Sequence, residues 1–393
     1  MLATENPFNP GSGLRPPALV GREAELDALD ITITRTSRGL SSRGIVLSGL
    51  RGVGKTVLLN EMRGRAETAG WFVTGLEARG DSAGATSVRR ILARDISAAA
   101  RGLSRRRAIT GRMRQALESI TAFNIKIGTG GIDLGVEIRS GRADSGDIEV
   151  DLTELVHDLS LALQEDGSAF GIFIDEMQDL DGELLRALLV TQHQAGQRGW
   201  PFFIIGAGLP HLPGVLAETR SYAERLFDYR TISRLPDPDA LKALVDPVRN
   251  HGADVDARAL DILLDASGGY PYFLQEYGRA AWEVAPGPVI TGADAHVSIV
   301  IGLERLDAGF FHSRWNRATP SERRMVIALA EDGEGPSSSS DVARRMGIKP
   351  TSLGPYRASL ISKGLVYAPE HGQIAYTVPN MAAYVHRHRE DLT

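Results

Sequence analysis

The stretch GIVLSGLRGVGKTVLLNEM, running from Gly44 to Met62, decides the fold. It sets Gly49, Gly54, Lys55 and Thr56 in the pattern G-x-x-x-x-G-K-[ST], directly after an apolar run and directly before an amphipathic one. That is the order a phosphate cradle needs: a buried strand, a tight glycine turn, then a helix whose first free backbone N–H groups face an anion. Gly49, Gly52, Val53, Gly54, Lys55, Thr56 and Val57 are the expected phosphate-binding residues. Lys55 would reach the β- and γ-phosphates, and the Thr56 hydroxyl would hold Mg2+. The chain has only five lysines (Lys55, Lys126, Lys242, Lys349, Lys363), and arginine supplies its other basic residues. One of the five stands where an ammonium point charge suits the site better than a planar guanidinium.

Outward from this loop, strand-like runs occur at Gly44–Ser48, Trp71–Leu76, Phe170–Ile174, Phe202–Ile205 and Tyr229–Ile232, with helical periodicity between most of them. Such alternation predicts an α/β fold with a parallel sheet covered on both faces. The third run ends in two acids, GIFIDEMQDL, with Asp175 and Glu176 at the strand tip. The first acid suits the magnesium shell, and the second suits orienting and activating a water.

Between the second and third strands lie about ninety residues, more than a crossover needs. Arg101, Arg105, Arg106, Arg107, Arg112 and Arg114 cluster there, read either as a second nucleic-acid surface or as a solvated face paired with Asp144, Asp147, Glu149 and Asp151 downstream. Two alternating runs, Phe123–Ile127 and Ile132–Ile138, flank Gly128–Gly131 and read as a β-hairpin. The helical run Leu152–Leu163 leads back to the core.

From about Pro236 to Ala285 the pattern is helical only. The segment TPSERRMVIALAE carries a capping box, Thr319 with Glu322, and Pro320 at the first helical position. A Gly/Ser-rich stretch (Gly333–Ser340), a short helix DVARRMG, a second helix Leu353–Lys363 and two strands around Glu370–Gln373 follow. That order reads as a winged helix-turn-helix. The expected organisation is a nucleotide module over 1–235, with an arginine-rich and hairpin insertion at about 100–150, a helical lid over 236–312, and the winged helix over 313–393.

Composition sets the limits. A chain of 393 residues allows about two or three domains. The absence of cysteine excludes disulfides, thiolate metal sites and thiol catalysis. No apolar run approaches a membrane span of about 18 residues, and the first residues lack a signal pattern, so a cytoplasmic location is expected. A net charge of −5 argues against bulk nucleic-acid binding while leaving room for a local basic face.

These residues together resemble the AAA+/STAND class of P-loop ATPases, in its archaeal-type, origin-recognition-like branch, from Leu19 to about Arg387. The resemblance implies ATP and Mg2+ as ligands. It places Gly21 and Arg22, in the box Leu19–Leu26, over the adenine. Gln178 corresponds to the glutamine that follows the acidic pair, and Phe202–Gly208 to the sensor-1 strand. That strand ends here in Gly206, Ala207 and Gly208 with no polar tip, which leaves Gln178 or His211 as substitutes. Arg225 corresponds to an arginine finger acting in trans on a neighbouring copy. Pro271, in Gly268–Leu274, stands where many relatives carry the sensor-2 arginine, which implies slow turnover or a nucleotide-dependent switch. Glu176 is the implied catalytic base, with Lys55 on the phosphates and Thr56 and Asp175 on the metal.

Two outputs stay open at this level. The winged helix either contacts DNA, through Lys349, Ser352, Tyr356, Arg357, Ser359, Lys363, Arg387 and Arg389, or packs on the nucleotide module and serves a protein partner or a homo-oligomer. A scaffold that merely holds nucleotide is a third option.

Overall fold

The computed structural model describes residues 1–78, 82–106, 111–127 and 143–389. Strands β1 (Gly44–Ser48), β2 (Phe72–Glu77), β3 (Phe170–Asp175), β4 (Phe202–Gly208) and β5 (Phe227–Thr231) form one parallel sheet in the order β2-β3-β4-β1-β5. β1 and β4, inside this sheet, are buried throughout, as a strand covered on both faces should be. β1 is flanked in sequence by α1 (Glu23–Ser37) and α2 (Lys55–Thr68), whose Leu26, Leu29, Leu58 and Met62 pack on one face with Ile45, Leu47 and Ile205.

The opposite face is covered by the segment that is too long for a simple crossover. It holds α3 (Ser82–Arg106), α4 (Gly111–Ile127) and α5 (Ile148–Gln164), joined on this face by α6 (Gly182–Arg198). The first arm of the expected hairpin is therefore wrong: residues 123–127 are the last turns of α4. Phe123 is 1% exposed among Leu92, Leu117 and Leu155, so its apolar spacing serves a helix face. The second arm, Ile132–Ile138, lies outside the described residues. Of the downstream acids, Asp147 caps α5 by accepting from Glu149 N, and Asp151 accepts from Ser145 and Gly146 of its own loop. They finish a helix start. Within the arginine run, Arg112 pairs with Glu165 at 2.9 Å.

After β4 come α7 (Leu212–Thr219) and α8 (Ala223–Leu226), and after β5 the helices α9 (Asp237–Asn250), α10 (Ala257–Ser267), α11 (Pro271–Val284) and α12 (Gly292–Arg305). Two short strands, β6 (Asp254–Val255) and β7 (Val289–Ile290), pair within this helical region. A π-helical turn over Leu306–Phe311 and α13 (His312–Trp315) lead into α14 (Pro320–Ala330), which starts with the expected reciprocal Thr319–Glu322 capping box.

The C-terminal unit continues with β8 (Ser337–Ser338), α15 (Ser339–Arg345), α16 (Gly354–Ser362), β9 (Val366–Tyr367), β10 (Gln373–Tyr376) and α17 (Met381–Arg387). Its sheet has the order β8-β10-β9, both pairings antiparallel. β8 falls inside the Gly/Ser stretch read as a separator; Ser337 is buried and pairs with Ile374. Helices α9 and α11, in the region read as a lid, and the C-terminal unit share one apolar core, which runs from Leu244 and Phe273 through Phe311 and Trp315 to Val342 and Tyr384. Phe8 of the N-terminal arm inserts into the same core.

Candidate nucleotide site

The loop between β1 and α2 forms as its sequence predicts. Gly54 sits at φ 92°, a left-handed conformation costly for other residues, and serves as the N-cap of α2. Lys55 and Thr56 therefore begin the helix. Lys55 Nζ donates to the Gly49 and Leu50 carbonyls, both at 2.9 Å, and so lies folded over the loop. Burial pushes its pKa down to about 8, with Arg51 adding to the effect against Glu176 and Asp175.

Thr56 Oγ1 donates to Asp175 Oδ2 at 2.7 Å. A hydroxyl and a carboxylate held edge to edge are the hard oxygen donors Mg2+ takes from protein when phosphates supply the remainder. The donor set fits the ion. Thr56 and Asp175 would hold the ion, which when bound would offset phosphate charge. Among the described residues no group of three or more acidic or histidine side chains forms an all-protein metal cage.

Glu176 has φ 49° and ψ 42°, left-handed for a non-glycine residue. Such strain persists only where surroundings hold it. Here Arg51 Nη1 grips Oε1 at 2.5 Å and Gln178 Nε2 donates to Oε2 at 2.8 Å. Burial alone would raise the Glu176 pKa, but Arg51 and Gln178 outweigh it and keep the group ionised below its ordinary value. Asp175 goes the other way, raised chiefly by burial.

Gln178 also accepts from Leu209 N at 3.0 Å, so its carboxamide links Glu176 to the tip of β4. The missing polar tip of that strand is thereby explained. A Cβ on Gly208 would lie 2.2 Å from Gln178 Oε1, so a side chain there would expel the glutamine. His211 caps the start of α7 with Nδ1 buried and unbonded among the described residues, and burial lowers its pKa.

A cavity of about 750 Å³ opens over the loop, large enough for a nucleotide. Its walls are Arg51–Val57, Asp175 and Glu176, the arm residues Asn9–Leu14, the lid residues Pro271, Tyr272 and Gln275, and Phe310 with Arg314. Arg22 is buried in the cavity wall and braces the loop, donating to Val53 O at 3.1 Å and Ser233 O at 2.7 Å. Gly21, Gly49 and Gln178 stand behind the lining, and Gly21 packs on Asp239. Pro271 opens α11 at the cavity, one residue before Tyr272 N donates to Gly52 O at 3.2 Å. Arg225 is exposed on α8, away from this cavity.

Residues 18–205 match the AAA ATPase domain family. The chain carries an AAA+ P-loop ATPase module. Downstream of that AAA+ module, residues 308–385 match a domain of unknown function, DUF8462. Among solved structures, the chain is similar to the Walker-type ATPase PABY2304 of Pyrococcus abyssi, with a TM-score of 0.61 and 15% identity over 95% of this chain and 97% of that one. This likeness extends the shared fold past the AAA+ module. The Aeropyrum pernix ORC1 protein, solved in complex with DNA, scores 0.44 at 15% identity, covering 96% and 94% of the two chains. The Thermotoga maritima RuvB Holliday junction branch migration motor scores 0.45 at 14% identity, covering 96% and 98%. No curated protein matches the chain.

Two arginines of the site carry no sequence signal. Arg51 occupies a variable position of the loop motif, and Arg314 lies outside every motif. In a chain this rich in arginine, only geometry singles them out.

Proposed function

We propose that this protein is a magnesium-dependent ATP switch whose nucleotide site is read by its C-terminal unit. That unit, with α14, α15 and α16 followed by an antiparallel hairpin, is taken as a winged helix. The observation that carries the reading is the placement of Arg51. Its backbone N–H donates to Thr377 O at 2.8 Å, its guanidinium lies against Gly364, and the same guanidinium holds Glu176. One loop residue thus touches the water-activating carboxylate and the C-terminal unit together.

In this reading Glu176 is occupied at rest. A γ-phosphate entering beside Arg51 would compete with Glu176 for the guanidinium, free the carboxylate, and loosen the hold on Thr377. Slow turnover follows, because each cycle must break and remake these contacts. ATP as the nucleotide rests on the resemblance in sequence.

The C-terminal cations support a partner-facing or self-locking unit over a DNA reader. Lys363 Nζ and Ser359 Oγ both donate to Glu322, and Arg387 pairs with Asp307 at 2.6 Å. Arg389 pairs with Glu331 at 3.0 Å. Four of the eight expected DNA contacts are thus engaged inside the chain, leaving Lys349, Ser352, Tyr356 and Arg357. Arg225, exposed on α8, would act only on a neighbouring copy. Among the described residues no helix is long and apolar enough to cross a membrane.

The test compares hydrogen exchange over residues 364–377 in the full chain with ADP and with a non-hydrolysable ATP analogue. Exchange should rise with the analogue, and Arg51→Ala should raise it with either nucleotide. Identical protection in every state would remove the coupling. Salt-titrated DNA binding with and without the analogue decides the output, since phosphate contacts weaken steeply with salt.

A further inference from the structure

The lid offers Pro271, not a cation, to the phosphates, yet the cavity is not short of a second guanidinium. Arg314 reaches it from α13, in the connector between the lid and the C-terminal unit. Its placement is well defined. The guanidinium stacks 4.0 Å over the Phe310 ring and donates to the Phe310 carbonyl, and Phe310 in turn stacks on Tyr272 with centroids 4.9 Å apart. The π-helical turn Leu306–Phe311 sets this register. Such single turns often mark functional positions.

What the guanidinium lacks is a paired carboxylate: Glu176, already held by Arg51, acts on it only from a distance and more weakly than Arg51 does. No carboxylate lies within 4.0 Å of Arg314 among the described residues, whereas Arg51 nearby already has Glu176. The charges that bear on Arg314 most after burial itself are those of Arg51 and Arg317, both repulsive. Burial and these neighbours bring its pKa down to about 10, so it remains a cation at neutral pH. Stacking on Phe310 accounts for how the group is held. It does not account for a partly buried charge set beside another of the same sign, an arrangement that costs energy until a counter-charge arrives.

We propose that Arg314 binds the γ-phosphate of the nucleotide in cis, so that the connector to the C-terminal unit, and not the lid, carries the cation that tells ATP from ADP. The assignment to the γ end follows from its neighbours. Arg51 and Glu176 flank the terminal phosphate position, which Lys55 also reaches from the loop side, while the α- and β-phosphates belong to the loop amides. This rests on the nucleotide reading above.

The experiment titrates the full chain with a non-hydrolysable ATP analogue and with ADP, each with magnesium, by calorimetry. Wild type should bind both, and Lys55→Ala should lose both. Arg314→Gln should weaken the analogue by about ten-fold or more while changing ADP by less than about three-fold, the scale of a lost charge-assisted contact. Arg314→Lys, which keeps the charge without the fork, should fall between. If Arg314→Gln and Arg314→Lys weaken both nucleotides equally, or leave both unchanged, Arg314 only props the connector and the assignment is overturned. If wild type binds neither nucleotide, the reading of the loop itself fails and Arg314 has no phosphate to meet.

Discussion

Gln178 donates to Glu176 across 2.8 Å while its own oxygen fills the space where a side chain on Gly208 would begin. The acidic strand tip and the end of β4 are therefore fitted to each other through one carboxamide. A Cβ at position 208 would also lie 2.8 Å from Leu212 Cδ2, so the glutamine has little room to step aside. Gly208→Ala should release Glu176 from Gln178 and lower turnover about ten- to a hundred-fold, with nucleotide affinity changed by less than about three-fold. Steady-state hydrolysis beside equilibrium binding separates the two. An equal loss of both would place the defect in the loop.

Lys55 and Glu176 should fail in different ways. Lys55 closes over the loop and in the proposed role would meet the phosphates, so Lys55→Ala should abolish binding. Glu176 is proposed to activate the attacking water, and Glu176→Gln should bind ATP as wild type does while hydrolysis falls by about a hundred-fold or more. Unchanged turnover in Glu176→Gln would take the residue out of its assigned role.

Arg22 gives a third expectation. The resemblance set it over the adenine, and it does line the cavity. Its side-chain donors, however, go to the carbonyls of Gly21, Val53 and Ser233. Burial lowers its pKa from the ordinary guanidinium value of 12.5. Arg22→Ala leaves those carbonyls without this donor, which ties Val53 of the loop to Ser233 after β5. The loss should be about 2–4 kcal/mol of stability, together with weaker binding of both ATP and ADP. Thermal unfolding and nucleotide titration test this, and a defect in adenine selectivity alone would restore the base-contacting role.

The sheet, the loop and the acidic pair were legible because each has a local signature. Short apolar runs such as Gly44–Ser48, closed by a glycine turn, suit doubly covered strands, and glycine spacing is dictated by the turn. The hairpin expected at Phe123 shows where local reading stops. Phe123, Ile125 and Ile127 alternate as in a strand, yet the preceding Met113, Ala116, Leu117 and Ile120 keep helical spacing, and the longer pattern wins. The site's two arginines were invisible for another reason. Arg51 and Thr377 are 326 residues apart by number, and Arg314 meets the loop only after the connector folds back. Tertiary placement of a common residue type leaves no trace in spacing. The C-terminal cations, which the sequence left open between DNA contact and internal packing, likewise gave no hint that Glu322 and Asp307 already hold several of them.

Glu322 supplies a pH-dependent test of that internal pairing. Burial would raise its pKa from 4.5, but hydrogen bonds from Lys363, Ser359 and Thr319 outweigh this and bring it to about 2. A carboxyl depressed on folding stabilises the native state fully above its unfolded value near 4.5, and the contribution disappears as pH falls toward 2. Glu322→Gln keeps the shape but not the charge, and strands the Lys363 ammonium beside a neutral amide. At pH 7 the variant should be less stable by about 1–3 kcal/mol. Urea midpoints of the full chain, taken from pH 7 down to pH 3, should draw toward wild type below about pH 4.5, as the wild-type carboxylate begins to lose its advantage. A gap that stays constant over this range would mean that packing of the side chain, and not its ionised bonds to Lys363 and Ser359, holds α14 to α16, and Lys363 would then be free to meet an external partner.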